Sequence, residues 1–170
     1  MTTRIRSFVA GFLLSGAIWA QGPFALKNAQ GETVGTVKVS PASEAAQELG
    51  VRIDLEITKL PQGEHAVHIH AKGECTGPGF ESAGPHFNPG GKKHGEKNSQ
   101  GPHAGDLKNI TVQSDGTGKA TLTATSASAK GANSILANGG TALVIHEKLD
   151  DYETDPAGNA GARIACAVLK

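Results

Sequence analysis

The chain has 170 residues, a length that fits one domain, and its 16 basic residues balance its 16 acidic ones. A formal net charge of zero gives no support for a nucleic-acid-binding protein or for a polybasic membrane patch. Glycine occupies 23 positions and aromatic residues make up only 4% of the chain, a composition that favours many short strands and turns over a helical bundle.

The N-terminus has the pattern of a secretory signal peptide. Arg4 and Arg6 precede an apolar run at 8–20 that is too short to span a membrane comfortably. No cysteine follows this run, which argues against a lipoprotein anchor. A buried N-terminal strand or an uncleaved anchor is the alternative. We expect a signal peptide over 1–20, a folded domain over 21–170, export to the periplasm or the extracellular space, and no membrane contact after signal removal.

Short segments with strand patterns follow along the rest of the chain. In 51–57, for example, the odd-numbered positions are apolar and the even-numbered ones charged, as in a half-buried strand. Glycine-rich turn signals separate the segments. The segment 43–49 has the composition of a helical turn. The predicted strands cover 24–28, 33–39, 51–57, 64–71, 109–113, 119–125, 141–146 and 163–169.

About eight short strands predict a single-domain antiparallel sandwich or barrel. Two long segments, roughly 72–108 and 147–162, lack any periodic pattern. Long irregular loops in a compact domain are usually functional or disordered, and both of these adjoin strands that carry histidines. We therefore expect two functional loops.

The two cysteines, Cys75 and Cys166, are 91 positions apart. In a chain bound for an oxidising compartment, a single pair of cysteines is typical of a disulfide. Two buried free thiols are the alternative.

The histidines of the predicted strands form the first part of a candidate metal site. His68 and His70 are two positions apart, so their side chains share a face of the strand, although a pair of surface histidines would show the same spacing. His146 ends another apolar strand, where an ordinary structural histidine is the alternative. His65 lies at an odd offset from the other two and is predicted to be structural.

The first long loop adds His86, His94, His103 and Asp106. Three imidazoles and one carboxylate form a plausible zinc site, whereas an all-imidazole set suits copper. Six histidines and one aspartate can supply two four-coordinate metals only if one histidine is shared.

Six segments now carry a specific resemblance. In chain order they read HAVHIHAKGEC, SAGPHFNP, KKHG, PHAGD, VIHEKLDDY and GNAGARIAC. They resemble the signature segments of the copper/zinc superoxide dismutases, and the resemblance runs from about residue 33 to the C-terminus. It implies a single-domain, eight-stranded antiparallel Greek-key β-barrel or sandwich with two long functional loops, one copper and one zinc ion per subunit, and oxidoreductase activity.

The resemblance also implies roles for individual residues, with His86 as the bridge between the metals. Asp150 would join a copper-binding histidine to a zinc-binding one, and Cys75 and Cys166 would form an intrasubunit disulfide. Arg163 would receive the substrate anion beside copper. The implied copper ligands are His68, His70, His86 and His146, and the implied zinc ligands are His86, His94, His103 and Asp106.

The implied reaction is the dismutation of superoxide to dioxygen and hydrogen peroxide, as antioxidant defence outside the cytoplasm. Copper would accept an electron from one superoxide and return it to a second, and His86 would supply a proton. A positive spot that includes Arg163 would attract the anion even in a chain of zero net charge.

The chain departs from the eukaryotic cytosolic members at 147–162, which is shorter here and has Ala157 in place of a threonine. Lys148, Glu153 and Asp155 are therefore candidates for steering the substrate, with plain solvated charges as the alternative. The expected assembly is a monomer or a homodimer. The alternative function is a redox-silent copper/zinc-binding or copper-delivery module on the same scaffold. The presence of all seven implied ligands and of Arg163 favours the enzyme.

Overall fold

The computed structural model describes residues 20–43, 50–131 and 134–170. All but the last residue of the predicted signal peptide, and all but the first residue of the predicted helical turn at 43–49, lie outside these ranges. Among the described residues, no helix is long and apolar enough to cross a membrane.

The described chain is built almost entirely from antiparallel strands, which confirms the predicted fold class. One 3-10 turn, Glu81–Ala83, is the only helical element that the structure describes. The strands are β1 (Gln21–Asn28), β2 (Thr33–Pro41), β3 (Val51–Ile57), β4 (Gly63–His65), β5 (Val67–His70), β6 (Ile110–Val112), β7 (Gly118–Ala124), β8 (Thr141–His146) and β9 (Arg163–Leu169).

The segment predicted as one strand at 64–71 is divided at Ala66 into β4 and β5, so the described residues form nine strands rather than the predicted eight. The division marks a change of partner, because β4 pairs with β6 whereas β5 pairs with β8. The backbone of Ala66 remains hydrogen-bonded: its N–H donates to Lys148 O (2.8 Å) and its carbonyl accepts from His146 N (2.9 Å).

Seven strands form one sheet in the order β5-β8-β9-β1-β2-β3-β7, and β4 pairs with β6 in a second sheet. The small sheet links the two ends of the large one, since β4 leads directly into β5 and a tight turn joins β6 to β7. The neighbours β5/β8, β9/β1 and β3/β7 are not consecutive in the chain, as expected for Greek-key crossovers. The result is a curled antiparallel barrel.

The burial pattern explains which strands alternate in sequence and which do not. In β3 the apolar positions are at most 3% exposed, whereas its charged side chains point outward, so this strand has one buried face. In β8 all six residues are buried. Ala142 and Val144 on this strand pack against Phe80 and Ala83 of the first long loop, while the intervening residues face the barrel core. The loop thus covers the outer face of β8.

The predicted disulfide is confirmed, because Cys75 is bonded to Cys166. Cys75 belongs to the loop after β5, and Cys166 lies in the middle of β9 and is 1% exposed. The bond therefore fastens the long loop to the barrel wall near the cluster that covers β8.

Candidate metal centre

The first group of histidines is assembled by β5, β8 and the loop that follows β5. His68 and His70 lie on β5, and His146 is the last residue of the neighbouring strand β8. The loop brings His86 beside them by running against the free edge of β5, where Phe87 N donates to Ile69 O (2.7 Å). An isolated bridge between His70 and His86 marks the same contact.

These four side chains form the cluster that we call the copper-side cluster: His68, His70, His86 and His146. Each is at most 7% exposed. One ring nitrogen from each residue lies within 4.8 Å of those of the other three. The shared face predicted for His68 and His70 is confirmed, since both rings belong to this cluster.

Each ring of this cluster also has a buried nitrogen that lacks a hydrogen-bond partner among the described residues. These atoms are His68 Nδ1, His70 Nε2, His86 Nε2 and His146 Nε2. A buried polar atom without a partner is costly, and most buried side-chain polar atoms in proteins have one. A single cation that prefers imidazole ligands would satisfy four such nitrogens together.

Hydrogen bonds at the opposite nitrogens fix the tautomers of three of these rings. His68 Nε2 donates to Asp150 Oδ2 (2.8 Å), His70 Nδ1 to Gly84 O (2.7 Å) and His146 Nδ1 to Gly161 O (3.3 Å). Because the acceptors hold the ring protons, the other nitrogens carry lone pairs that face the cluster interior. Such contacts orient imidazole ligands in metal sites.

The second group is centred on one carboxylate oxygen, Asp106 Oδ1. It lies 2.9 Å from His86 Nδ1, 3.1 Å from His94 Nδ1 and 3.2 Å from His103 Nδ1. The other oxygen, Oδ2, accepts hydrogen bonds from Gly95 N (2.9 Å) and His103 N (3.0 Å). We call His86, His94, His103 and Asp106 the zinc-side cluster; three imidazoles and one carboxylate suit zinc.

A different set of four residues, in which His68 replaces His103, also has ligand atoms within 4.8 Å of one another. His103 fits the zinc-side cluster better, because its Nδ1 approaches both Asp106 Oδ1 (3.2 Å) and His86 Nδ1 (3.4 Å). His68 instead has Nε2 bonded to Asp150, and its Nδ1 is among the unpaired nitrogens of the copper-side cluster.

His86 presents one nitrogen to each cluster, with Nε2 on the copper side and Nδ1 on the zinc side. Asp150, which is 1% exposed, makes a second connection. Its Oδ2 accepts from His68 Nε2, and its Oδ1 accepts from His94 Nε2 at 3.0 Å. One imidazole and one carboxylate therefore join the two clusters side by side.

Burial controls the protonation of three rings of the copper-side cluster. It lowers the pKa of His70 to about 2, that of His86 to about 4 and that of His146 to about 3, because charged imidazoles are poorly solvated there. These rings are neutral at pH 7, as ligation requires.

The zinc-side cluster contains one ionised carboxylate, Asp106, and lies against a second, Asp150. Burial would raise the pKa of Asp106, but the hydrogen bond from His86 and the close ring of His94 outweigh it and hold that pKa far below its ordinary value. The pKa of Asp150 is lowered in the same way by His68 and His94. Burial would lower the pKa of His94, but Asp106 and Asp150 raise it to about 9. Two ionised carboxylates at the centre complement a bound dication.

Arg163 stands beside the copper-side cluster. It is the cross-strand partner of His146 in the pairing of β8 with β9. Its Nη1 donates to Phe80 O (2.7 Å) and its Nη2 to Gly84 O (2.9 Å), the same oxygen that accepts the proton of His70. Burial lowers the pKa of Arg163, yet a guanidinium stays charged in proteins. A positive charge is thus fixed next to His70.

Of the charges considered for steering, Asp155 has a structural partner. Its Oδ2 pairs with Lys93 Nζ (3.0 Å), and its Oδ1 accepts from the backbone N–H of His94 (2.9 Å). Asp155 therefore joins the loop 147–162 to the first long loop, and its charge is offset locally.

Two residues of the site, Asn109 and Tyr152, were given no role from the sequence, although Tyr152 ends the segment VIHEKLDDY. Asn109 holds both main-chain groups of Asp150, through Oδ1 to Asp150 N (2.8 Å) and Nδ2 to Asp150 O (3.0 Å). Tyr152 N donates to Asp150 Oδ1 (2.6 Å).

His65 lies outside both clusters, with its ring nitrogens against His146 O and Pro61 O.

Comparisons with known proteins agree with this geometry. The family model for copper/zinc superoxide dismutase (SODC) matches residues 33–169. The chain is 46% identical over 148 residues to superoxide dismutase [Cu-Zn] 2 of Aquifex aeolicus, covering 85% of this chain and 84% of the relative. It is 38% identical over 149 residues to superoxide dismutase [Cu-Zn] of Caulobacter vibrioides, covering 85% and 83%.

A solved structure has the same fold. The crystal structure of a SOD-like protein from Bacillus subtilis superposes with a TM-score of 0.79 at 39% identity and covers 86% of this chain and 97% of its own. With the family model matching 137 residues in one stretch, 33–169, the chain belongs to the copper/zinc superoxide dismutase family.

Proposed function

We propose that this protein dismutates superoxide to dioxygen and hydrogen peroxide with one copper and one zinc ion per subunit. The observation that carries the proposal is the set of four buried imidazole nitrogens without partners in the copper-side cluster. The proposed copper ligands are His68, His70, His86 and His146, and the proposed zinc ligands are His86, His94, His103 and Asp106.

Copper held by four imidazoles supplies the one-electron chemistry, whereas zinc has no redox chemistry and shapes the site. Burial keeps His70, His86 and His146 neutral. Asp150, Gly84 and Gly161 aim the lone pairs of His68, His70 and His146 inward. Because these acceptors are fixed by the fold, the ligand geometry is set before a metal binds.

Arg163 is proposed to bind the substrate anion. Its guanidinium is anchored on two carbonyl oxygens, and one of these also holds His70. Superoxide carries one negative charge, so a fixed cation beside the cluster raises its local concentration and its rate of encounter. This local field does not depend on the net charge of the chain.

His86 is proposed to hold and deliver a proton at Nε2. This nitrogen faces the copper-side cluster, while Nδ1 stays against Asp106 Oδ1 (2.9 Å). The ring is therefore held in place from the zinc side whenever Nε2 is protonated. A peroxide product formed at the copper side would lie next to this donor.

The protein is also proposed to be exported, with residues 1–20 acting as a cleaved signal peptide and 21–170 forming the mature enzyme. The basic start and the short apolar run support this proposal. The bond between Cys75 and Cys166 supports it as well, because disulfides persist in oxidising compartments.

Reconstitution tests the activity directly. Protein loaded with one equivalent of copper and one of zinc should accelerate the decay of superoxide in pulse radiolysis, and zinc alone should give no acceleration. Metal analysis of the same sample confirms the loading. A fully loaded sample without catalysis contradicts the enzyme and favours the redox-silent module.

His86→Ala should damage both metal sites, because it removes Nε2 from one cluster and Nδ1 from the other. His70→Ala should lower copper affinity while zinc affinity is largely retained, and His103→Ala should do the reverse. Chelator competition for each metal gives the affinities. Normal zinc affinity in His86→Ala, with only copper weakened, would argue against a shared imidazole.

Arg163→Ile should lower the second-order rate constant by about tenfold and flatten its dependence on ionic strength, since steering by a local charge is screened by salt. Copper and zinc contents should stay at the wild-type level. Arg163→Lys, which keeps the charge, should retain more of both the rate and the salt dependence. An unchanged rate in Arg163→Ile would rule out the anion-binding role.

Export predicts that the full chain, expressed in a bacterial host, is recovered outside the cytoplasm and begins at Gln21. Intact mass and N-terminal sequencing give the cleavage site, and a thiol assay should detect no free cysteine. A variant without residues 2–20 should stay in the cytoplasm. Full-length protein in the cytoplasmic fraction would contradict the proposed signal peptide.

A further inference from the structure

Tyr152, the only tyrosine of the chain, lies where the two long loops meet. Its φ of 63° is in the left-handed region, which is uncommon for a bulky residue. Such a backbone conformation persists only where surrounding contacts enforce it. Three contacts of Tyr152, with Asp150, Asn109 and Gly95, lead to residues that support the zinc-side cluster.

Each polar group of Tyr152 has a partner. Its N–H donates to Asp150 Oδ1 (2.6 Å), and its carbonyl accepts from Lys97 N (3.0 Å). Its hydroxyl oxygen accepts the backbone N–H of Asn109 (2.8 Å). The residue therefore connects the loop 147–162 to two points of the loop after β5.

The hydroxyl contact reaches Asp150 through Asn109. The side chain of Asn109 holds the N–H of Asp150 (2.8 Å) and its carbonyl (3.0 Å). Fixing the backbone of Asn109 therefore fixes the position of Asp150, whose carboxylate binds His68 and His94. Tyr152, Asn109 and Asp150 form a continuous hydrogen-bonded chain, which we call the Tyr152 latch.

The carbonyl of Tyr152 also packs against the support of Asp106. A Cβ at Gly95 would collide with Tyr152 O, and Gly95 has a φ of 90° that favours glycine. The N–H of Gly95 donates to Asp106 Oδ2 (2.9 Å). The same residue thus contacts the supports of both carboxylates.

Two lysines hold the ring in this position. Lys97 Nζ lies 5.8 Å and Lys108 Nζ 5.1 Å from the ring centroid, within the range of cation–π attraction. Lys108 is paired with Glu96, and Lys97 Nζ donates to Asp151 O (2.9 Å). The ring is kept between the loops, so its hydroxyl can serve as a fixed acceptor.

We propose that Tyr152 is a positioning residue for zinc, acting through Asn109 and Asp150 to hold His94 in its ligating orientation. This inference rests on the proposed zinc site. Outer partners of metal ligands typically change metal affinity by 10–100-fold when they are mutated. Loss of the hydroxyl leaves the N–H of Asn109 without its acceptor and loosens Asp150, while every other contact of Tyr152 remains.

Tyr152→Phe tests the latch, since it removes only the hydroxyl. Zinc affinity, measured by chelator competition, should fall by about tenfold. The melting temperature of the metal-free protein should change little, whereas the rise on adding zinc should shrink because stabilisation by a ligand follows its affinity. Unchanged zinc affinity, or an equal loss of stability in the metal-free and zinc-loaded forms, would overturn the proposal.

A double-mutant cycle with Asn109→Ala separates the latch from independent effects. Once the side chain of Asn109 is absent, the hydroxyl can no longer act on Asp150, so adding Tyr152→Phe should cause little further loss of zinc affinity. Additive losses would show that the two residues act separately and would overturn the latch. Lys119→Gln, which removes an exposed lysine that pairs with Glu56 and makes no contact with the latch, should keep zinc affinity within about twofold of the wild type.

The chain's single tyrosine also gives a direct signal. Protein labelled only at the tyrosine ring should show one ring resonance that shifts as zinc is added and does not shift in Asn109→Ala. If the chemical shift of this resonance does not change on adding zinc to the wild type, the latch is overturned even if the site binds zinc tightly. Wild-type protein that binds no zinc at all would instead remove the proposed zinc site, and the latch with it.

Discussion

The structure depends on one constraint: imidazole rings are buried with only one nitrogen hydrogen-bonded. In the copper-side cluster the other nitrogens have no partner among the described residues, which would be unfavourable unless a cation completes them. The surrounding fold already supplies hydrogen-bond acceptors for the outward ring nitrogens of three of these histidines. Carbonyl oxygens of Gly84 and Gly161 and the carboxylate of Asp150 hold the outward nitrogens, so the inward lone pairs are oriented by the protein. The loops supply these acceptors: Gly84 lies in the loop after β5, and Asp150 and Gly161 lie in the loop 147–162.

Sequence patterns predicted the strands where one face is buried and the other is not. β3 was predicted at its observed bounds because its alternation reflects that environment. The division at Ala66 could not be predicted, since the change of partner depends on β6 and β8, which are distant in the chain. β8 was also predicted at its observed bounds, although the loop carrying Phe80 covers its outer face and its central residues, Ala142 to Ile145, are apolar without alternation.

The loop ligands were predictable in kind, because histidines in polar loops have no packing role. The strand histidines His68, His70 and His146 left structural alternatives open, and the assignment of both groups to two metals followed from the resemblance. The nitrogen that each ring presents was not predictable. It follows from acceptors such as Gly84 O, which are backbone atoms and leave no trace in residue type. The roles of Tyr152 and Asn109 were not predictable for a similar reason. The positive φ of Tyr152 and its hydrogen bond from the backbone N–H of Asn109 depend on tertiary contacts.

The two long loops are interdependent rather than separately attached to the barrel. The loop 147–162 supplies Asp150 to the ring of His94 and Asp155 to its backbone N–H, so it fixes a histidine that belongs to the other loop. The first loop in turn supplies Gly84 O to Arg163 and to His70. A displacement of either loop therefore moves groups on both sides of the centre. The zinc side thereby orients the copper side through hydrogen bonds as well as through the shared ring of His86.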